Sequence, residues 1–261
     1  MCVLAHPDDE SLGTGGALAK CAAEGVETFL VTATRGERGR FFDNTQSPGP
    51  EVVGRTREAE LLAAAKELGI REVSFLDYPD GGLDKVDAVE AIGKIAGHIR
   101  RVRPHVVITF GPDGAYGHPD HIAISQMATA AIACAADRSF NTALGEPHRV
   151  SKLYFIAWSR DKWAAYQAAL RRLVVTVDGE ERQVVPWPAW AITTVLDTSA
   201  VWPVVWSAVS CHKTQMSIYG KLAELPDEHQ RSLWGTQEFY RAFSSVNGGR
   251  AKESDLFEGL R

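Results

Sequence analysis

The sequence predicts an α/β fold: a Rossmann-like, mostly parallel sheet with helices on both faces, extended by a C-terminal hairpin and helix elaboration. Three observations predict it. Short apolar runs alternate with helical-length segments through the first 160 residues. The connections carry the Gly and Pro signals that end helices and start strands. Two His-Pro-Asp triplets, at 6–8 and 118–120, fall just beyond predicted strands, where such sheets place their ligands.

Met1 to Leu4 forms a first strand, and small helix-forming residues from Thr14 to Glu24 form a helix that Gly25 stops. The β-branched run Glu27 to Ala33 reads as the second strand. Arg55 to Leu68 follows as a helix with Leu61, Leu62, Ala65 and Leu68 on one stripe and Gly69 past its end. Val73 to Leu76 makes a third strand, Val86 to Val102 a helix, and Val106 to Phe110 a fourth strand opening after Pro104. Pro119 to Ala136 continues as helix and Leu153 to Trp158 as strand.

Past residue 160 the alternation lapses. Leu173 to Val177, the turn pair Asp178 and Gly179, and Arg182 to Val185 predict a β-hairpin. Ile192 to Leu196 adds a strand, Val204 to Leu222 and Gln230 to Phe243 two helices, and the polar, Gly-containing tail is expected to be loose. The expectation is one domain over 1–261, with an α/β core at 1–160 and a C-terminal subregion at 161–261.

Composition bounds the function. The 261 residues are 45% hydrophobic and 23% charged, enough for one large core, with a net charge of −5. That charge gathers neither nucleic acid nor an anionic membrane surface, so a small-molecule partner fits better. The longest apolar stretch, 122–136, is interrupted by Ser125, Gln126 and Thr129 and too short to span a bilayer. With no basic region, apolar run or cleavage site at the N-terminus, a cytoplasmic protein is expected. Cys2, Cys21, Cys134 and Cys211 lie far apart without a C-x-x-C pair and read as reduced, mostly buried thiols. A homo-oligomer is left open.

Pro7 and Pro119 each suit a helix start, where Asp side chains favour the dipole, so capping alone accounts for part of each triplet. It does not account for the spacing. His6 stands three residues before Asp9, and His118 three before His121, which puts each pair on one helical face. His6, Asp9 and His121 would supply two nitrogens and one oxygen to a metal and leave a fourth position for water, as catalytic zinc sites do. Asp8 is then a spare carboxylate for the water's proton. His118 is placed to protonate a leaving nitrogen or donate to an oxyanion, with Asp120 holding its ring or tautomer and Tyr116 as a second donor.

Two other readings use some of the same residues. A non-haem iron oxygenase would use His6, Asp8 and His121, since Fe2+ accepts the ligands that Zn2+ does, but it leaves Asp9 and His118 idle. A dinucleotide-binding module would use Gly13, Gly15 and Gly16. Leu18 replaces its third glycine, and Asp8, Asp9 and Glu10 would repel a pyrophosphate.

Ala5 to Glu10 together with Gly117 to His121 resembles the signature of the PIG-L/LmbE-like family of zinc-dependent N-deacetylases. The resemblance extends through 34–37, Arg57, Glu60, 77–82 and 110–121, covering about the first 135 residues. It implies a hydrolase that removes an N-acetyl or other N-acyl group from an amino sugar of the N-acetylglucosaminyl type. His6, Asp9 and His121 are then zinc ligands, Asp8 the general base, and His118, aided by Asp120, the acid or oxyanion partner, with Tyr116 matching a tyrosine catalytic in some members. The same resemblance puts Arg57 and Asp80 on substrate. His212 and Gln215 resemble a closing His-x-x-Gln element that either reaches the site or packs against it. All seven Trp lie between Trp158 and Trp234, where they suit a sugar ring or an apolar aglycone, core packing or a subunit contact. The loop from Glu37 to Pro50, with Phe41 and Phe42, is placed to cover the site.

Overall fold

A computed structural model describes residues 1–43, 46–170, 174–249 and 251–261. Strands β1 (Cys2–Leu4), β2 (Phe29–Thr32), β3 (Glu72–Phe75), β4 (Val106–Phe110) and β5 (Lys152–Ile156) are mutually parallel. With β8 (Thr194–Asp197) and β9 (Thr236–Ser244) they form a seven-stranded sheet in the order β3-β2-β1-β4-β5-β9-β8. The chain walks outward from β1 to β3, then crosses to β4 on the other side of β1. Right-handed crossovers therefore put α1 (Asp9–Ala23) and α2 (Pro50–Glu67) on one face, and α3 (Ala88–Val102) and α5 (Pro119–Ala136) on the other, with the single turn α4 (Gly114–Gly117) leading into α5. The carboxyl ends of β1 and β4 meet where the winding reverses, the place such sheets bind ligands. Every residue of β1 and β4 is buried, which explains their nearly continuous apolar reading; Thr109, the exception, donates its hydroxyl to the Val3 carbonyl.

Helix starts differ from expectation at three places. α1 starts at Asp9 instead of Thr14, so the acidic pair Asp9 and Glu10 forms its first turn and favours the dipole. Pro7 precedes this helix, and Asp8 takes the N-cap position with a left-handed φ of 109°. α2 starts at Pro50, and Leu62 is 48% exposed, so the stripe of this helix runs through Val53, Arg57, Leu61 and Ala64. α3 starts at Ala88, because the Asp87 side chain caps it by accepting from the backbone N–H of Val89 and Glu90. Gly13, Gly15 and Gly16 lie inside α1, where a Cβ would press on Ile156, Val205 and Thr198 respectively. They permit close packing and form no phosphate-binding turn, which removes the dinucleotide reading.

The C-terminal part departs further. α6 (Arg160–Leu170) is an addition to the expected elements, and the hairpin forms as β6 (Val174–Val177) and β7 (Glu180–Gln183); Leu173 lies outside the described residues. The helix expected over 204–222 is two, α7 (Trp202–Cys211) and α8 (Met216–Ala223), broken at His212. The helix expected over 230–243 is α9 (Asp227–Trp234) followed by β9. Gly235 ends the helix, and Thr236, Phe239 and Tyr240 suit a strand that buries Phe239 completely. β9 lies antiparallel between β5 and β8, so the last strand of the chain is interior to the sheet.

The tail is anchored, contrary to expectation. Glu253 is buried and accepts hydrogen bonds from Lys152 Nζ at 2.7 Å, Tyr154 Oη at 2.8 Å and Thr194 Oγ1 at 2.8 Å, and Leu256 joins the main core. A smaller cluster gathers Trp163, Tyr166, Val205, Leu222 and Trp234 over the C-terminal helices. All four cysteines are free, Cys2 and Cys21 buried and the others partly so. Among the described residues no helix is long and apolar enough to cross a membrane.

Candidate metal centre and active site

His6 follows β1 after Ala5, and Asp9 opens α1. The Asp9 carboxylate folds back so that Oδ2 accepts from the backbone N–H of His6 at 2.7 Å and of Ala5 at 3.2 Å. His121 comes from the first turn of α5, its ring stacked on Phe110 at the end of β4 with centroids 3.9 Å apart. These three side chains converge. His6 Nδ1 stands 3.2 Å from His121 Nε2, and the Asp9 oxygens lie 3.7 Å and 3.4 Å from those nitrogens.

The donor set fits a divalent cation. His6 Nε2 faces Asp120 Oδ2 and Asp80 Oδ1, each at 3.1 Å, so its proton belongs there and Nδ1 presents a lone pair. Two buried imidazole nitrogens this close, beside a carboxylate, can share a proton or a metal cation, and a bound cation would displace that proton. Burial opposes charge on His6, yet hydrogen bonds to Asp120 and Asp80 with Asp9 nearby raise it to about 10, while burial and Asp8 push Asp9 up to about 7 against the charge of His6. Burial and the neighbouring His6 and His118 hold His121 neutral, the form that binds metal. His118 and Asp120 also approach His6 closely enough to make a second donor set, but the Asp120 carboxylate is already engaged by two backbone amides, of Gly81 at 2.7 Å and Leu83 at 3.0 Å.

Asp8 stays outside the cluster. Its Oδ2 accepts from Arg57 Nη2 and from Tyr219 Oη, both at 2.9 Å, leaving Oδ1 without a partner among the described residues. The triad expected for the oxygenase reading, with Asp8, does not form, since Asp9 and not Asp8 joins the two histidines. Glu10 supports the turn by accepting from the Asp8 backbone N–H at 2.9 Å.

His118 is the N-cap of α5, and its Nδ1 accepts from the backbone N–H of Asp120 at 3.2 Å. The proton of the neutral ring is therefore on Nε2. Burial and the charge of His6 lower His118 to about 4, in keeping with a neutral donor. The expected hold of Asp120 on the His118 ring thus comes from its amide; its carboxylate faces His6 instead. Tyr116 packs edge-on to His118 and His121 on a turn where Gly114, Ala115 and Gly117 all have positive φ.

Arg57 and Asp80, expected on substrate, and His212, expected to reach the site or pack against it, have protein partners. Arg57 spends its amino groups on Asp8, on the Pro7 carbonyl and on the Gly36 carbonyl at 2.9 Å. Asp80 backs His6 and accepts from Arg38 N at 2.8 Å, and that contact to His6 helps hold its carboxyl at about 2 against burial. Both still line the cavity. His212 does not: it is fully buried with Nε2 2.7 Å from Glu10 Oε1, because the helix break that it occupies drives its ring behind α1.

The cavity above the cluster measures about 340 Å³. Arg38, Gly39 and Gln215 line it, whereas Phe41 and Phe42 do not, so among the described residues of the 37–50 loop only its start reaches the cavity. Of the seven Trp, Trp158 alone lines it among the described residues; Trp163 and Trp234 pack in the C-terminal cluster. Tyr219 carries no signal in the sequence, since nothing in its spacing connects it to Asp8 across 211 residues.

A parallel sheet that presents a His–Asp–His cluster and a spare carboxylate at its switch point is the architecture of a metal-assisted hydrolase. Residues 1–132 match the family described as PIG-L, GlcNAc-PI de-N-acetylase. A relative from Streptomyces avermitilis, named 1D-myo-inositol 2-acetamido-2-deoxy-alpha-D-glucopyranoside deacetylase, is 33% identical over 288 residues, covering 100% of this chain and 96% of its own. The chain belongs to the PIG-L family. Among solved structures, a conserved protein of Thermus thermophilus superposes with a TM-score of 0.64 at 27% identity, over 95% of this chain and 96% of that one. The 4-carboxy-2-hydroxymuconate hydratase of Pseudomonas putida has a TM-score of 0.69 at 20% identity, over 95% and 98%. The last likeness concerns the fold alone, so the chemistry has to be argued from the side chains.

Proposed function

We propose that this chain is a metal-dependent N-deacetylase that hydrolyses the acetamide of an N-acetylglucosaminyl substrate, an N-acetylglucosaminyl inositol being the first candidate. The observation that carries this is the convergence of His6 Nδ1, Asp9 and His121 Nε2 beside an Asp8 carboxylate kept out of the cluster. The substrate that names the Streptomyces avermitilis relative, a 2-acetamido sugar on inositol, supports the choice of sugar.

A divalent ion, Zn2+ or Fe2+, held by His6, Asp9 and His121 would polarise the acyl carbonyl and acidify a water. Asp8 is the general base: Arg57 and Tyr219 fix one of its oxygens, so the other accepts the proton of the attacking water. His118 donates from Nε2 to the oxygen on which negative charge develops, its tautomer set by the Asp120 amide. Tyr116 lies beside it as a second donor. Asp8, once protonated, returns the proton to the departing sugar nitrogen. Arg38, Gly39, Asp80 and Gln215 offer polar atoms to sugar hydroxyls. Residues 1–261 act here as one domain, since α8 supplies Tyr219.

Metal-replete protein assayed for amine and acetate release across N-acetylated amino sugars, with elemental analysis in parallel, tests this reading. Equimolar amine and acetate from an N-acetylglucosaminyl inositol is the expected result. No amine from any member of the panel overturns it.

A further inference from the structure

The cavity has two unlike ends, and the sheet order explains why. The metal cluster sits over β1 and β4, in the middle. On the β2 and β3 side the wall is polar, built from Arg38, Gly39, Asp80 and Gly81 in the loops that follow those strands. On the β5 side it is apolar. Ile156 ends β5, Trp158 follows it, and Tyr166 on α6 stacks on Trp158 with centroids 4.7 Å apart. Leu12, one turn of α1 beyond Asp8 and Asp9, and Leu222 of α8 complete that wall.

A planar trans amide directs its nitrogen substituent and its acyl chain in opposite directions. With the carbonyl at the central cluster, a sugar that bonds the polar wall leaves its acyl group pointing at the apolar one. An acetyl methyl covers little of five large apolar side chains. The apolar end is closed off behind: a second void of about 20 Å³ shares Leu12, Gly13, Ile156, Trp158 and Tyr166 with the main cavity but turns polar past them, at Lys162, Gln237 and Glu238, which bounds the recess.

We propose that the recess formed by Leu12, Ile156, Trp158, Tyr166 and Leu222 is an acyl subsite that accepts, besides acetyl, N-acyl chains of the butanoyl to hexanoyl class. It rests on the deacetylase reading above and widens its acyl range. The reaction stays a hydrolysis: the C–N bond breaks, a C–O bond forms from water, and the products are the amine and the longer carboxylate.

Calorimetric binding of acetate, butanoate and hexanoate to the metal-loaded protein reads the subsite without turnover. Burial of each methylene is worth up to about a fourfold gain, so hexanoate should bind roughly twentyfold tighter than acetate even with the chain partly buried. In parallel, N-acetyl-, N-butanoyl- and N-hexanoylglucosamine are assayed for amine release. Ile156→Trp fills the recess and should lower the hexanoate-to-acetate affinity ratio about tenfold. Leu12→Trp, on a partly exposed position, gives the same test if the first variant does not fold. Affinities that stay level or weaken along the series, or a ratio unchanged in the folded variant, overturn the proposal. Tightening that the variant abolishes upholds the subsite even if no sugar is hydrolysed, a result that would count against the deacetylase reading alone. Acetyl turnover with no discrimination among the carboxylates does the reverse.

Discussion

Arg57 donates to Asp8 Oδ2 at 2.9 Å while its second amino group reaches the Gly36 carbonyl, so a buried guanidinium ties the proposed base to the loop after β2. The ion pair is almost fully enclosed, and burial of Arg57 is outweighed by the charge of Asp8, which raises its affinity for protons further. Gly36, at φ 63°, and Gly39 leave the space that the guanidinium fills. Arg57→Ala should therefore destabilise the fold by about 3–5 kcal/mol, the usual cost of leaving one buried charge unpaired. Gly36→Ala should displace the same guanidinium and lower kcat with a smaller loss of stability. Urea unfolding and steady-state kinetics on both variants check the pair.

Asp8→Asn keeps the metal ligands and removes the base. The expected outcome is metal content equal to wild type with kcat reduced by about 10²–10⁴-fold, the range for a lost general base. His121→Ala should lose the metal itself. Elemental analysis beside turnover separates the two, and wild-type rates in Asp8→Asn would remove Asp8 from the mechanism.

Asp120 and Asp80 both face His6 Nε2 and orient its other nitrogen. Asp120→Asn should weaken metal binding by about 10–100-fold, as loss of a carboxylate behind a ligating imidazole does. Asp80→Asn should do so less if Asp120 compensates. Competition against a chelator of known affinity gives the numbers, and unchanged affinity in both variants would refute this role.

Glu253 predicts a pH dependence of stability far from the active site. Burial works against its charge, but Lys152, Asn247, Thr194 and Tyr154 hold it down at about 2. Its folded pKa lies below the unfolded value of about 4.3, so the stabilisation is complete above pH ~4.3 and is lost as pH falls toward 2. Glu253→Gln should lower stability at neutral pH, because Lys152 is left buried without its anion, and should flatten the acid limb. Urea midpoints measured from pH 7 to pH 2.5 on both proteins test this; parallel curves would show that Glu253 carries no such linkage.

The series of alternating strands and helices was legible because each element of 1–160 has its own periodicity and its own stop signal; β4 and α5 lie at their expected bounds. The His6, Asp9 and His121 cluster was legible from residue type and from place beyond β1 and β4, and the two halves needed only the winding of the sheet to meet; the shared helical face expected for His6 and Asp9 does not form, because α1 begins at Asp9. What failed depends on distant partners. Phe239 and Tyr240 lean toward a strand only weakly, and it is β5 and β8 on either side that decide it. Arg57, Asp80 and His212 look alike as polar residues near a site, and only the placement of Asp8, His6 and Glu10 shows which partners they hold and that His212 alone is kept off the cavity. Leu62 failed for a simpler reason: an apolar stripe wider than the buried face leaves one of its members in solvent.

The interior position of β9 bears on how the chain emerges from the ribosome. β5 is finished at residue 156, yet the strand that covers its free side is not made until residues 236–244, and β8 has no other partner in the sheet. For those eighty or so residues of synthesis the nascent sheet carries an open row of amide and carbonyl groups, the template on which unrelated chains aggregate. A polypeptide stopped before Thr236 would hold His6, Asp9 and His121 and still be poorly soluble.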